Sequence, residues 1–263
     1  MPFFTPGDDP GSSFPELLRR IGAATVADAG PGNELPAEMT VPHATTCVAL
    51  TYADGVVMAG DRRATAGNLI SHRSMEKVVE ADRHSGVAIA GAAGPAMEMI
   101  RLFQLQLEHY EKVEGSPLSL EGKANQLSMM VRGNLPAAMQ GMVVVPLFAG
   151  YDIRRGAGRL WGYDVTGGRY EERDFVATGS GSLHASTVIK VAYRPGLSRD
   201  EAVDLAARSL WEAADADSAT GGPDALRGIY PVMATVTSDG WERLDDDELA
   251  RRYEAIASEV QAR

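Results

Sequence analysis

From residue 45 onward, apolar positions fall into short runs whose spacing changes in blocks. Thr46–Tyr52 and Val56–Gly60 are apolar runs separated by Ala53-Asp54-Gly55. Asp-Gly between two such runs is hairpin chemistry, because the tight turn needs backbone angles that these residues tolerate. Lys77–Glu80 and Gly86–Gly91 predict the next pair of strands. The spacing then becomes helical: Met97, Ile100, Phe103, Leu105, Leu107 and Tyr110 recur between Pro95 and Lys112, with the proline suited to a first turn. Ser119 caps a second helix reaching to about Gln140, with Leu120, Ala124, Leu127, Met130 and Val131 on one face. Pro136 lies inside that pattern and predicts a kink or break, since proline removes a backbone donor.

The second half repeats the order. Val143–Tyr151, Gly158–Asp164 and Glu171–Thr178 read as strands, Leu183–Tyr193 and Ser198–Ala216 as helices, Tyr230–Thr237 as a strand and Asp245–Val260 as a charged terminal helix. Strands joined by hairpins imply antiparallel sheets, and grouped helices imply outer layers. The simplest packing is an α+β fold in four layers, αββα: two antiparallel sheets face to face with helices outside.

Residues 1–44 have a different texture. They hold seven of the 14 prolines, and their one helical pattern is Phe14–Ile21 with Ser13 as N-cap. Such a segment buries little surface, and two readings stand: a flexible tail or a removable pro-segment. The rest of the composition narrows the class. A net charge of −11 argues against nucleic acid as the main partner, because phosphate binding relies on Lys and Arg. A lone cysteine, Cys47, excludes a disulfide framework and multi-cysteine metal sites. No apolar stretch is long enough to span a bilayer, and no basic residue precedes an apolar run at the N-terminus, so a cytoplasmic protein with no membrane partner is expected. Lysine is scarce, with four (Lys77, Lys112, Lys123, Lys190) against 21 arginines.

Familiar catalytic signatures are missing. There is no phosphate loop and no dinucleotide fingerprint, and Gly179-Ser180-Gly181-Ser182 has neither spacing. The five histidines form no metal-ligand spacing, and Asp215–Ala219 opens like a calcium loop but lacks its glycine and its closing glutamate. No metal or cofactor is expected. One nucleophile stands out by context: His43-Ala44-Thr45-Thr46 joins the proline-rich segment to the first strand. Cleavage after Ala44 would leave Thr45 with a free α-amine, of pKa roughly 8, which can act as base for its own hydroxyl. The bland alternative is an ordinary strand-starting threonine. Asp61 follows the second strand, Lys77 opens the third, and Gly91-Ala92-Ala93-Gly94 ends the fourth just before a helix, where backbone N–H groups can form an oxyanion hole.

Thr45–Leu50, Gly60-Asp61-Arg62-Arg63-Ala64-Thr65, Lys77, Gly91–Gly94, Gly179–Ser182 and Asp217–Gly222 together resemble, in order and spacing, the β subunits of the 20S proteasome. Val131–Leu135, Ala149–Asp152 and Asp217–Asp224 bring the likeness closest to the actinobacterial form, and it extends over residues 45–263. The resemblance implies an N-terminal-nucleophile hydrolase of αββα architecture, a threonine endopeptidase made as a zymogen. Residues 1–44 would be a propeptide removed autocatalytically between Ala44 and Thr45, and 45–263 the catalytic domain. Thr45 would then be the nucleophile and its amine the base. Lys77 would lower the pKa of the Thr45 hydroxyl, Asp61 would hold Lys77, and the Gly91 N–H would stabilise the oxyanion. Ser180, Asp217 and Thr220 would orient the amine and a water; many family members have Ser where Thr220 stands. Arg63 matches a position that supports the loop beside the site.

By the same mapping the Thr65 backbone would pair with an extended peptide. Ala64, Met75, Val79, Ile89, Ala93 and Met97 would line an apolar pocket, giving preference for cleavage after hydrophobic residues. The resemblance also implies α7β7β7α7 rings with proteasome α subunits and other β subunits, a ring-shaped ATPase regulator, and polypeptide substrates tagged by a small ubiquitin-like protein. Rival readings are a non-catalytic structural ring subunit, a smaller two-ring bacterial relative, and a stand-alone amidase. Cys47 shares a strand face with Thr45 and reads either as a small buried residue or as a reactive thiol.

Overall fold

The computed structural model describes residues 45–66 and 69–262. The helix expected at 14–21, the propeptide boundary and Ala44 lie outside the described residues. Strand alternation sets the layers. In β1 (Thr46–Tyr52), Val48 and Leu50 point to one side while Cys47 and Ala49 point to the other; in β2 (Gly55–Gly60), Val57 and Ala59 are opposed to Val56 and Met58 in the same way. Such a strand can only be satisfied by cover on both faces.

β1 and β2 pair with β10 (Phe175–Gly179), β11 (Val232–Thr237) and β12 (Gly240–Arg243) in an antiparallel sheet ordered β10-β1-β2-β11-β12. The second antiparallel sheet runs in chain order: β5 (Val78–Asp82), β6 (Ser85–Gly91), β7 (Val144–Asp152), β8 (Ala157–Tyr163) and β9 (Arg169–Glu172). A small hairpin, β3 (Ala64–Ala66) with β4 (Leu69–His72), stands apart from both.

Three apolar clusters fill the gaps. Cys47, Met58, Val78, Ala88, Leu147 and Leu160 meet between the sheets. Val87, Ile89 and Phe148 pack outward against α1 (Ala93–Glu114) and α2 (Leu120–Gly133). Val48, Leu50 and Met233 pack outward against α4 (Ser182–Ala192), α5 (Arg199–Ala216) and α6 (Asp246–Gln261). The order is helices, sheet, sheet, helices, so the four-layer αββα sandwich is observed. No helix among the described residues is long and apolar enough to cross a membrane.

The expected elements differ from the structure in three places. The single strand expected at Glu171–Thr178 is two: β9 pairs with β8, and β10 pairs with β1 in the other sheet. The polar pair Arg173-Asp174 is where the chain crosses between layers, and the Asp174 carbonyl accepts from Thr51 N at 2.9 Å. The long helix ends at Asn134, with Pro136 inside a separate short α3 (Leu135–Ala138). Pro136 has no N–H to give to the Arg132 carbonyl and its ring crowds that turn, which accounts for the break. The strands β3, β4 and β12 carry no sequence signal; at three or four residues they are too short to show a period.

Candidate active site

β1 starts one residue after Thr45, and Thr45 is itself buried. Its carbonyl accepts from Ser180 N at 2.8 Å, directly after the pairing of Thr46 with Gly179. Gly179 has φ +100°, and a Cβ there would lie 1.8 Å from the Thr45 carbonyl oxygen. Only glycine lets β10 approach Thr45 this closely.

Asp61 follows the last residue of β2, and its N–H donates to the Thr46 carbonyl at 3.1 Å. Its side chain is fully buried and both oxygens are in use. Oδ1 accepts from Thr46 N and from Lys77 Nζ, each at 2.8 Å. Oδ2 accepts from Arg63 N and from Gly221 N, each at 2.9 Å. Lys77, 1% exposed, also donates to the Arg63 carbonyl. A buried ion pair is tolerated when every remaining lone pair and proton finds a partner. Asp61 thereby ties the start of β1, the end of β2, the residue before β5 and the loop after α5 to one point.

Asp217 is the C-cap of α5 and heads a second cluster. Its Oδ2 accepts from Ser180 Oγ at 2.5 Å and Thr220 Oγ1 at 2.6 Å, and its Oδ1 accepts from Ala219 N at 3.2 Å. Burial raises the Asp217 pKa, but these hydrogen bonds and the charge of His184 outweigh it and hold the carboxyl below its ordinary value. Thr220 Oγ1 also lies 2.6 Å from Thr46 Oγ1, which accepts from Gly181 N at 3.0 Å. A hydroxyl has one proton to give. Thr220 gives its proton to Asp217, so Thr46 gives its own to Thr220, and the chain runs Gly181 N–H to Thr46 to Thr220 to Asp217. Thr46 is thus a part of the site that the sequence reading missed; strand alternation from Thr45 puts it on the opposite face, toward this loop.

The remaining residues divide. Gly91 ends β6 with φ +117°, and a Cβ there would lie 2.1 Å from the Val143 carbonyl, so the strand-to-helix corner before α1 requires glycine. Arg63 Nη1 donates to the Ser218 carbonyl at 3.0 Å and so does brace the 217–222 loop. Val79, Ile89 and Met97 belong to one cluster under α1, with Ala93 exposed at the head of that helix. Ile89 is 3% exposed, with Val79 and Met97 packed against its cluster. Ala64 and Thr65 are half-buried on β3, and Met75, also half-buried, is held by its N–H to the Arg62 carbonyl at 3.0 Å. Cys47 is fully buried with Sγ 3.6 Å from the Ile89 carbonyl, and burial pushes its thiol up to about 12. That is a small packing residue, and the reactive-thiol reading falls.

The proteasome subunit family pattern matches residues 41–226. The chain is 58% identical over 260 residues to a protein named proteasome subunit beta from Acidimicrobium ferrooxidans, covering 99% of this chain and 93% of that one. The match spans β1, the Asp61–Lys77 pair and the Asp217 loop together. On this fold and these similarities, the chain belongs to the proteasome subunit family.

Proposed function

We propose that this chain is a catalytic β subunit of a proteasome core, a threonine endopeptidase that cuts its own precursor after Ala44. The observation that carries the reading is convergence at Thr45: a buried Lys77–Asp61 pair and a Ser180–Asp217–Thr220 cluster both bond to Thr45 or Thr46. The buried ion pair also anchors the fold, but its meeting with a hydrogen-bonded hydroxyl chain at the start of the first strand favours a catalytic subunit over a purely structural one.

In this reading residues 1–44 leave and the working chain is Thr45–Arg263, with net charge −7. Thr45 Oγ attacks the substrate carbonyl and forms an acyl-enzyme ester while the leaving amine departs. The freed Thr45 amine takes the hydroxyl proton, through a water, and returns it to the leaving group. Lys77, held by Asp61, places positive charge beside the hydroxyl. The Gly91 N–H receives the oxyanion, and such a donor is worth about 3–4 kcal/mol in the transition state. Asp217, Ser180 and Thr220 orient the amine and its water. Ala64, Met75, Val79, Ala93 and Met97 over Ile89 form an apolar receptacle, favouring cleavage after hydrophobic side chains; Met75 and Met97 widen the range. Thr65 pairs its backbone with the extended substrate.

A receptacle this permissive supplies little selectivity, which fits enclosure within α7β7β7α7 rings gated by α subunits. A ring-shaped ATPase feeding polypeptides tagged by a small ubiquitin-like protein, in the cytoplasm, completes the reading. The test is intact mass of the chain coexpressed with its α subunit, beside Thr45→Ala. Loss of residues 1–44 in the native chain alone is expected. An uncut native chain with full peptidase activity would overturn the mechanism.

A further inference from the structure

Arg63 and Gly221, whose N–H groups hold Asp61 Oδ2, also line a small cavity of about 30 Å³ together with Arg62, Arg73, Asp224 and Tyr230. Its charges do not cancel. The Asp224 carboxylate is taken by Arg227, Nη1 to Oδ2 at 2.6 Å. Arg62 and Arg63 donate only to neutral carbonyls, of Ser74 at 3.3 Å and Ser218 at 3.0 Å. Among the described residues, no carboxylate lies within ion-pair distance of Arg62, Arg63 or Arg73. Arg62 Nε is buried and has no hydrogen-bond partner. Three arginines thus line one cleft with Asp224, which sits near enough to Arg73 to feel its charge, as the one carboxylate among them.

Like charges gathered around one cleft repel, and an anion that enters it relieves that repulsion. The cavity exceeds the roughly 10–15 Å³ that one water requires, so a halide or the two oxygens of a carboxylate fit inside it while the remainder of a larger anion stays outside. Guanidinium forks match carboxylate oxygens in geometry and accept a halide by charge.

We propose that this cleft is an anion site that takes one halide- or carboxylate-sized anion. The bound anion locks the Arg62–Arg63 segment, and through it the two N–H groups on Asp61. Neither the peptidase reading nor the family match assigns a role to this cavity. The site is defined by binding, so it stands or falls separately from the peptidase reading.

The test uses the full chain carrying Thr45→Ala, which keeps one covalent species. Chloride-35 line broadening is followed as sodium chloride replaces sodium isethionate, whose anion is too bulky, at constant ionic strength. The expected result is saturable broadening, displaced by acetate, with a melting temperature that rises to a plateau. Arg73→Met and Arg62→Met each weaken chloride binding tenfold or more. Arg251→Met, the same charge change at an exposed position of α6, leaves it unchanged. Non-saturating broadening, or broadening equal in all variants, overturns the proposal. A Glu-bearing tetrapeptide against its Gln counterpart identifies the source. Displacement far better than by acetate assigns a polypeptide carboxylate, and displacement no better assigns the free ion; both uphold the site.

Discussion

Asp61 shows how one buried charge organises the site. Four donors converge on its two oxygens, and an asparagine in its place would turn one oxygen into a donor facing two donors. Asp61→Asn in the Thr45→Ala background is expected to lose about 3–5 kcal/mol, read by urea unfolding; unchanged stability would mean that the pair is not the anchor the geometry indicates. Asp217 gives a pH dependence of definite sign. Its folded pKa lies below the ordinary value, so its contribution to stability is present above the unfolded aspartate value, about 3.9, and is lost as pH falls through the lower folded value. The wild-type chain is therefore expected to hold a stability advantage over Asp217→Asn at pH 5–7 that shrinks below about pH 4. Thermal melts across pH that ran parallel for the two chains would refute this. At Cys47, burial and a raised pKa predict no labelling by iodoacetamide at pH 8 until the chain is unfolded.

At the scale of elements, the site depends on where strands and helices end. Helix α5 begins with a full capping box, Ser198 Oγ accepting from Glu201 N while Glu201 accepts from Ser198 N, and it ends at Asp217. Ser198→Ala is expected to cost about 1 kcal/mol with little effect on the Asp217 cluster, since the cap lies at the opposite end of an 18-residue helix. Gly179→Ala acts differently. It places a Cβ 1.8 Å from the Thr45 carbonyl at a positive φ, so the β1–β10 register must shift. A melting temperature within a degree of wild type for Gly179→Ala would show that the approach is not tight. Much of this was legible beforehand. The Asp-Gly turn before Val56, the helical spacing from Pro95 and the Ser119 cap each have a local cause, and each stands where the spacing placed it. What stayed hidden is non-local. Nothing in Glu171–Thr178 shows that its two halves belong to different sheets, because β10 is claimed by β1, more than 100 residues away. Thr46 was likewise invisible as a link, because its role exists only once Gly181 and Thr220 fold over it.

At the scale of the molecule, the two sheets and their helices satisfy three apolar clusters, yet α1 still exposes a row of large apolar side chains. Leu102, Leu105 and Val113 are 47%, 60% and 65% exposed. Leu105, Tyr110 and Val113 border a cleft of about 590 Å³ that Leu107 and Leu118 close from below. Covering apolar surface is worth about 25 cal/mol per Å², and a contiguous exposed patch of this kind is unusual on a chain that works alone. In the proposed core particle, a neighbouring subunit covering α1 would make this face a contact and not a defect. The double variant Leu105→Glu/Val113→Glu puts two charges where a neighbour must desolvate them, which a subunit contact tolerates poorly. Neither side chain belongs to the buried clusters, so the isolated subunit is expected to keep its far-ultraviolet circular dichroism and its unfolding midpoint. Sedimentation after coexpression with the α subunit is expected to show the native chain in a particle near 28 subunits and the variant at least tenfold depleted from it. A folded variant that enters the particle as well as wild type would mean that this face stays open to solvent, and the ring contacts would have to be sought on other surfaces.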